Sequence, residues 1–182
     1  MRSGLKYLVL SALGPDRPGL VAAVSEYIAT RNGNVDESRM VILGAEFGVL
    51  MLVSGAESAV EKIAKELAEL ERATGMSVLA RPTKAPGEHR ANAAVPAVVT
   101  AEALDDEGIV HALAKALTQH GVNIVSVETR AYNAPVTGAV LFRMEAQVDV
   151  PRGLTLTQLR ASLDETGRAE GVDVEVRSVS LA

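Results

Sequence analysis

The sequence has no cysteine and no tryptophan, and it contains only three tyrosines and two phenylalanines among 182 residues. Without cysteine it cannot form a disulfide, an iron–sulfur cluster, a thiolate zinc site or a cysteine nucleophile. Few aromatic side chains are available to stack nucleic-acid bases. No apolar run reaches the roughly 18 residues that a membrane helix needs. We therefore expect a cytoplasmic protein that binds neither membranes nor, directly, nucleic acid.

Charge is distributed unevenly along the chain. The sequence has 18 Lys and Arg against 23 Asp and Glu, a net charge of −5. Residues 1–90 contain 11 basic and 11 acidic residues, whereas residues 91–182 contain 7 and 12. The net negative charge therefore belongs to the second half. An acidic chain binds phosphate backbones poorly, and the imbalance predicts that the two halves differ in role.

One long repeat organises the sequence. The same residue types recur 89 positions apart in three pairs: Asp16 and Asp105, Gly19 and Gly108, and Asn34 and Asn123. A repeat of this length indicates two duplicated domains. Residues 81–90 contain two prolines, a glycine and several charges, which is typical of a linker. We predict a first domain at 1–82, a linker at 83–92 and a second domain at 93–182.

Apolar periodicity predicts the same element order in each half: strand, helix, strand, strand, helix, strand. The later strands alternate apolar with charged residues, so helices are expected to cover one face of each sheet. This predicts an α+β protein with two tandem ferredoxin-like βαββαβ domains, antiparallel sheets and helices on one face. Residues 49–53 are uniformly apolar, which predicts a strand buried on both faces, with the second face covered by the other copy or by another chain.

Motifs for catalysis are missing from the sequence. The three histidines, His89, His111 and His120, lack the spacing of a metal-binding pair. No P-loop, G-x-S-x-G or G-x-G-x-x-G motif occurs. We expect no catalytic residues, no metal site and no cofactor, and hence a protein that is not an enzyme.

The junction between the first strand and the first helix is the clearest candidate for a binding site. It reads Asp16-Arg17-Pro18-Gly19. The first N–H groups of a helix lack internal acceptors and carry the positive end of its dipole, so such an end can bind a carboxylate. Gly19 allows a ligand to approach the backbone, and Pro18 suits a first helical turn. The alternative is an ordinary helix start with Asp16 as its cap.

The corresponding loop of the second half is acidic. It contains Asp105, Asp106 and Glu107 before Gly108, and it has neither proline nor arginine. Three negative charges would repel a carboxylate and would suit an ammonium group or a cation better. A solvated acidic helix start, favoured by the helix dipole, is the alternative.

These motifs resemble the tandem ACT domains, and among them the family of the glycine cleavage system transcriptional repressor. The resemblance rests on D-R-P-G-L-V at 16–21, G-N-V-D-E-S-R at 33–39, L-G-A-E-F at 43–47 and E-T-R at 128–130, and it covers nearly the whole chain. It implies a small-molecule ligand held between the first loop of one unit and the start of the second strand of a neighbouring unit. The implied ligand-binding residues are Asp16, Arg17, Pro18, Gly19, Leu20, Val21 and Asn34 in the first copy, and Gly108, Ile109, Val110, Asn123 and Ile124 in the second.

The function implied by this resemblance is that of a non-enzymatic regulatory protein. It would bind an amino acid such as glycine and modulate a protein partner, a transcriptional regulator of glycine cleavage, without binding DNA itself. The alternative is a regulatory module acting in trans on an amino-acid or one-carbon metabolic enzyme. A homodimer is compatible with both, because ACT units tend to pair their sheets edge to edge and an unpaired edge strand is a liability.

Overall fold

The computed structural model describes residues 4–86, 94–135 and 137–179. The chain divides into two compact units, Met1–His89 and Arg90–Ala182. The first unit contains β1 (Lys6–Pro15), α1 (Leu20–Ala29), β2 (Asn34–Leu43), β3 (Glu46–Gly55), α2 (Glu57–Lys65), α3 (Leu67–Thr74) and β4 (Ser77–Thr83). The second contains β5 (Val95–Leu104), α4 (Ile109–Gln119), β6 (Asn123–Asn133), β7 (Val140–Val150), α5 (Leu156–Glu170) and β8 (Asp173–Ser178).

Each unit has one four-stranded sheet, ordered β2-β3-β1-β4 in the first and β6-β7-β5-β8 in the second. Every strand pair is antiparallel. In each unit the first and third strands are interior and the second and fourth form the edges. The predicted fold class, two tandem ferredoxin-like βαββαβ domains, is confirmed.

The core of each unit lies between its helices and one face of its sheet. In β1, Leu8, Leu10 and Ala12 are buried, whereas the residues between them are not. A strand directs successive side chains to opposite faces, so this alternation buries a single face. The helices contribute spaced apolar residues such as Val24 and Ile28 to the same core. The second unit repeats the arrangement around Val99, Leu113, Ala146, Leu159 and Val176.

Within the first unit, residues 49–53 are buried on one face only, and cover of the second face by the other copy or by another chain stays a prediction. Val49, Met51 and Val53 are buried, but Leu50 between them is 51% exposed and Leu52 is half-buried. The helices cover only the face to which the odd-numbered residues point. An apolar residue on the other face is therefore not explained by the core of this unit.

The second helix of the first unit is interrupted, which its apolar spacing does not reveal. The helix α2 ends at Lys65 and α3 begins at Leu67, with Glu66 at φ −103° and ψ 19° between them. The Glu66 amide still donates to the Lys62 carbonyl, and the Glu69 amide donates to the Glu66 carbonyl at 2.9 Å. A change at a single residue leaves the apolar side chains on one face, so the pattern reads as one helix.

Two predicted boundaries differ from the structure. β4 continues through Pro82 to Thr83, inside the segment that reads as a linker; proline is tolerated there because β4 is an edge strand. Residues 87–92 of the predicted linker lie outside the described residues. In the second unit, the turn residues at 133–135 predict a third strand from residue 136, but that strand begins at Val140, because the Ala134 amide donates to the Ala139 carbonyl and closes a longer loop.

A buried tyrosine joins α1 to α2. The Tyr27 hydroxyl donates to the Ile63 carbonyl at 2.7 Å, and the Arg31 guanidinium lies 3.8 Å above the ring centre. Arg31 also contacts Glu66 and Glu69 at 2.8 and 2.6 Å. Burial raises the pKa of Tyr27 above its ordinary value of 10.0, because an ionised phenolate would lose its hydration.

We expect Tyr27→Phe to lower the free energy of unfolding by about 1 kcal/mol at neutral pH, through loss of the hydrogen bond. Since the folded pKa lies above the unfolded value, the contribution of this phenol is complete below about pH 10 and is lost as pH rises through the folded pKa. The difference between wild type and Tyr27→Phe should therefore shrink in urea titrations above that pH. A difference that stays constant up to pH 11 would contradict the assignment.

Candidate ligand site at the strand–helix junction

A left-handed glycine forms the junction between β1 and α1. Gly19 is the N-cap of α1, with φ 94° and ψ −8°, and its carbonyl accepts the first helical hydrogen bond from the Ala23 amide at 2.9 Å. A residue with a Cβ is strained in this region. Nothing lies within 4 Å of the position a Cβ would take at Gly19. The requirement for glycine therefore comes from the backbone, and the space beside it is open.

Asp16 does not cap the helix, so the interpretation of this segment as an ordinary Asp-capped start is wrong. No side chain caps α1, and no acidic residue occupies its first turn. The Asp16 backbone amide instead donates to the Ala45 carbonyl at 2.9 Å, which ties the loop to the turn between β2 and β3. The amides of the first turn consequently face outward with the positive end of the helix dipole and no charged side chain to neutralise it.

These residues surround a surface hollow at the start of α1. It brings together all six residues that were predicted in the first loop, and it adds two that sequence reasoning missed, Ala22 and Phe47. Phe47 is opposite Gly14 in the pairing of β1 with β3, so the sheet register brings it to the loop. Phe47 and Leu20 are both buried and give the hollow an apolar floor. The lining residues are Asp16, Arg17, Pro18, Gly19, Leu20, Val21, Ala22 and Phe47.

Arg17 holds the loop against the end of α3. Its Nη2 donates to the carbonyls of Ala73 and Thr74 at 2.9 and 3.1 Å. A cation at a helix C-terminus satisfies carbonyls that lack helical partners and interacts favourably with the dipole. The structure therefore gives Arg17 a positioning contact beside the hollow, while the backbone of α1 provides the positive pole.

Asn34 lies at the opposite end of the sheet from the loop of its own unit. Asn34 is opposite Ser54, which is opposite Tyr7 near the start of β1, whereas the loop follows Pro15 at the end of β1. At roughly 3.3 Å per residue the two places are about 26 Å apart along the strand. The exposed Asn34 amide donates to the Asp36 carboxylate. One unit by itself therefore does not bring Asn34 to the Gly19 loop.

The second unit repeats the backbone of this junction. Gly108 is the N-cap of α4, with φ 89° and ψ −7°, and no side chain caps that helix either. The Asp105 amide donates to the Val140 carbonyl at 3.0 Å, as the Asp16 amide does to its own turn. Three predicted residues, Gly108, Ile109 and Val110, thus lie together at the start of α4.

The second loop differs from the first in its charges. Asp105, Asp106 and Glu107 are all exposed, and the Glu107 amide donates to the Asp106 carboxylate at 2.7 Å. Asn123 and Ile124 lie at the far end of this sheet, where Asn123 is opposite Asp149. The structure therefore separates them from Gly108 within the unit, as it separates Asn34 from Gly19.

Other candidate chemistry receives no support within the described ranges. Among those residues no three or more His, Cys, Asp or Glu side chains are grouped to hold a metal ion. His120 ends α4 and its Nε2 lies 2.7 Å from the Ser162 hydroxyl, which joins α4 to α5. His111 is exposed on α4, and His89 lies outside the described residues. In the described part of the chain, no helix has the length and apolar character to cross a membrane.

Comparison with known proteins first gives the class. Residues 6–80 match the ACT domain family, so the first unit is an ACT domain, and the second repeats its topology. A UPF0237 protein of Methanopyrus kandleri is 34% identical over 73 residues, covering 39% of this chain and 81% of that protein.

Two further comparisons cover both units. The glycine cleavage system transcriptional repressor of Escherichia coli K12 is 30% identical over 136 residues, which are 72% of this chain and 68% of the repressor. A crystal structure of a Galdieria sulphuraria protein of unknown function matches with a TM-score of 0.79 and 29% identity, covering 97% of this chain and 99% of the other. The chain belongs to the tandem ACT-domain family that includes the glycine cleavage system transcriptional repressor.

We expect Gly19→Ala to lower the free energy of unfolding by about 1 kcal/mol, because alanine is strained in the left-handed region. Gly108→Ala should have a similar effect. Gly153 is a matched control, since its φ is not positive and an added Cβ meets nothing within 4 Å. Urea titration of the three variants measures the difference. If Gly153→Ala and Gly19→Ala were equally destabilising, the left-handed requirement would be refuted.

Proposed function

We propose that this protein is a cytoplasmic regulator without catalysis of its own. It binds a free amino acid such as glycine at the β1–α1 junction and thereby modulates a protein partner, a transcriptional regulator of glycine cleavage. The observation that carries the proposal is the uncapped N-terminus of α1, opened by left-handed Gly19 and surrounded by the loop residues that resemble the ACT ligand site.

The junction has complementary groups for both ends of an amino acid. The free amides at the start of α1 and the helix dipole suit the carboxylate of the ligand. The side chain of Asp16 is exposed and does not cap the helix, so it is available to an ammonium group. The apolar floor of Leu20 and Phe47 supplies no polar group to a long polar side chain. These features favour a small zwitterion.

A neighbouring unit would complete the site. Asn34 begins β2, an edge strand whose outer side pairs with no other strand of its sheet. Because Asn34 cannot reach the Gly19 loop of its own unit, its implied role in binding requires another unit beside that edge. Ligand binding would then be coupled to the association of two units, so the ligand concentration would control how far the units associate.

The two units are proposed to differ in affinity. Their backbones at Gly19 and Gly108 agree closely, but the loop before Gly108 has three carboxylates. Negative charge next to a helix N-terminus competes with a bound carboxylate for the same dipole. The first unit is therefore the principal site for an anionic group.

The proposed partner follows from the relative in Escherichia coli, which is named a transcriptional repressor of the glycine cleavage system. The net charge of −5 and the scarcity of aromatic residues disfavour direct contact with DNA. If this chain also acts on glycine cleavage, it would therefore act through a DNA-binding regulator and not on DNA itself.

We expect calorimetry against single amino acids to detect binding of glycine or a similarly small amino acid, and Val21→Glu to weaken it at least about tenfold. Val21 is 47% exposed in the first turn of α1. A glutamate there suits the helix dipole, so the fold should be preserved, but it repels the ligand carboxylate. Val21→Gln controls for size, and Val110→Glu for the second unit; both should bind nearly as wild type does. No binding by any of the twenty amino acids would refute the proposed ligand class.

Partner choice is tested by affinity capture with the immobilised full chain, with and without the ligand that calorimetry identifies. We expect to recover a DNA-binding transcriptional regulator. The ligand should change the recovered amount several-fold with the wild-type chain and should leave it unchanged with Val21→Glu. Ligand-dependent recovery of an amino-acid or one-carbon metabolic enzyme instead would replace the proposed partner with the alternative one.

A further inference from the structure

The outer face of the first unit, meaning the face of its sheet that points away from α1, α2 and α3, has an apolar centre. The four residues Leu13, Val41, Leu50 and Leu79 come from four different strands and are between 50% and 58% exposed. The strand register places them in two adjacent rows, since Leu50 and Leu79 are both opposite Ser11, and Leu13 and Val41 are both opposite Gly48. We call these four residues the apolar patch.

The second unit has charges where the first has this patch. Thr100, the counterpart of Ser11 in the repeat, is opposite Glu145 and Glu175, which therefore correspond to Leu50 and Leu79. By the same register Glu102 corresponds to Leu13 and Arg130 to Val41. Residues at all four positions are exposed in the second unit, and its fold is the same. The fold therefore does not require an apolar outer face.

A cluster of exposed leucines that the fold does not need indicates a surface that becomes buried in a complex. The outer face of the second unit is a poor cover, because glutamates opposite leucines would lose hydration without gaining partners. An apolar surface with charges complementary to those at the patch border fits the patch better.

We propose that the apolar patch is the centre of a homodimer interface, in which the outer faces of two first units pack face to face. The next row of the outer face has opposite charges at its two ends, Glu37 on β2 and Arg81 on β4. Within this row Glu37 is opposite Leu52, Leu52 is opposite Val9, and Val9 is opposite Arg81. A two-fold axis parallel to the strands places β2 of one copy over β4 of the other. Glu37 then faces Arg81 of the second copy, and the same contact forms twice.

This arrangement agrees with the general geometry of sheets and of dimers. Two sheets pack face to face with their strands within about 30° of each other, as an axis parallel to the strands requires. In a two-fold dimer both copies bury the same patch against each other, so no copy of the patch remains exposed. Glu37 also contacts Arg39 of its own strand at 3.1 Å, so in the dimer its carboxylate lies between two guanidinium groups. Arg39 is opposite Leu50 on the edge strand β2, and the same axis places it over Leu79 of the second copy, where its aliphatic stem can pack while the guanidinium stays at the rim.

The first test is the double variant Leu13→Glu/Leu50→Glu. Both positions lie on interior strands, so the sheet edges are unchanged, and both substitutions introduce the residue type that the second unit has there. In sedimentation equilibrium of the full chain at about 50 μM, wild type should have twice the mass of one copy, and the variant should fall to one, with an unchanged circular dichroism spectrum. The control Glu102→Gln/Glu145→Gln should stay dimeric. A wild type that is monomeric, or a folded double variant that is as dimeric as wild type, overturns the proposal.

The second test is a charge exchange, which also identifies the occupant of the face. Glu37→Arg and Arg81→Glu each place like charges opposite one another in the dimer. Each variant should therefore raise the dissociation constant of the dimer about tenfold, which corresponds to about 1.4 kcal/mol of binding free energy. Combining the two restores opposite charges and should recover most of the lost affinity. A different partner, or pairing through the sheet edges, predicts no such rescue. Its absence would overturn the proposal without affecting the amino-acid site, which calorimetry tests separately.

Discussion

Burial of a single sheet face under the helices is the constraint on which both units depend. Leu8, Leu10 and Ala12 alternate with uncovered neighbours along β1, because helices cover one side of the sheet only. In the sheet order β2-β3-β1-β4, the end of the interior strand β1 leads into the start of α1. The β1–α1 junction and the uncovered outer face are therefore both consequences of the same packing.

The geometry of the β1–α1 junction depends on a backbone conformation. The left-handed Gly19 begins α1 without a capping side chain, while Arg17 and the Asp16 amide fix the loop to α3 and to the β2–β3 turn. The antiparallel order then places Asn34 at the other end of the sheet. The Gly19 loop and Asn34 of one unit therefore do not meet, and the proposed ligand site needs an Asn34 from a neighbouring unit.

The two units have the same architecture but different surfaces. The N-cap glycines of α1 and α4 have nearly the same dihedral angles, but the second junction is acidic and the second outer face is charged. Because both units have the same fold, the fold does not require the residues that differ between their junctions and outer faces. Residues 1–90 have a net charge of zero, and they contain both the junction proposed to bind the ligand and the apolar outer face.

The sequence by itself determined the two-unit organisation, the strand and helix order and the D-R-P-G loop, because periodicity, turn residues and the repeat are local properties of the chain. It did not reveal the break at Glu66, since one altered residue preserves apolar spacing. Only the tertiary structure decided which face the apolar residues at 49–53 occupy, that Phe47 joins the hollow, and that Asn34 lies far from Gly19. Those relations depend on strand register, which pairs residues remote in sequence and is fixed by the packing of the whole sheet.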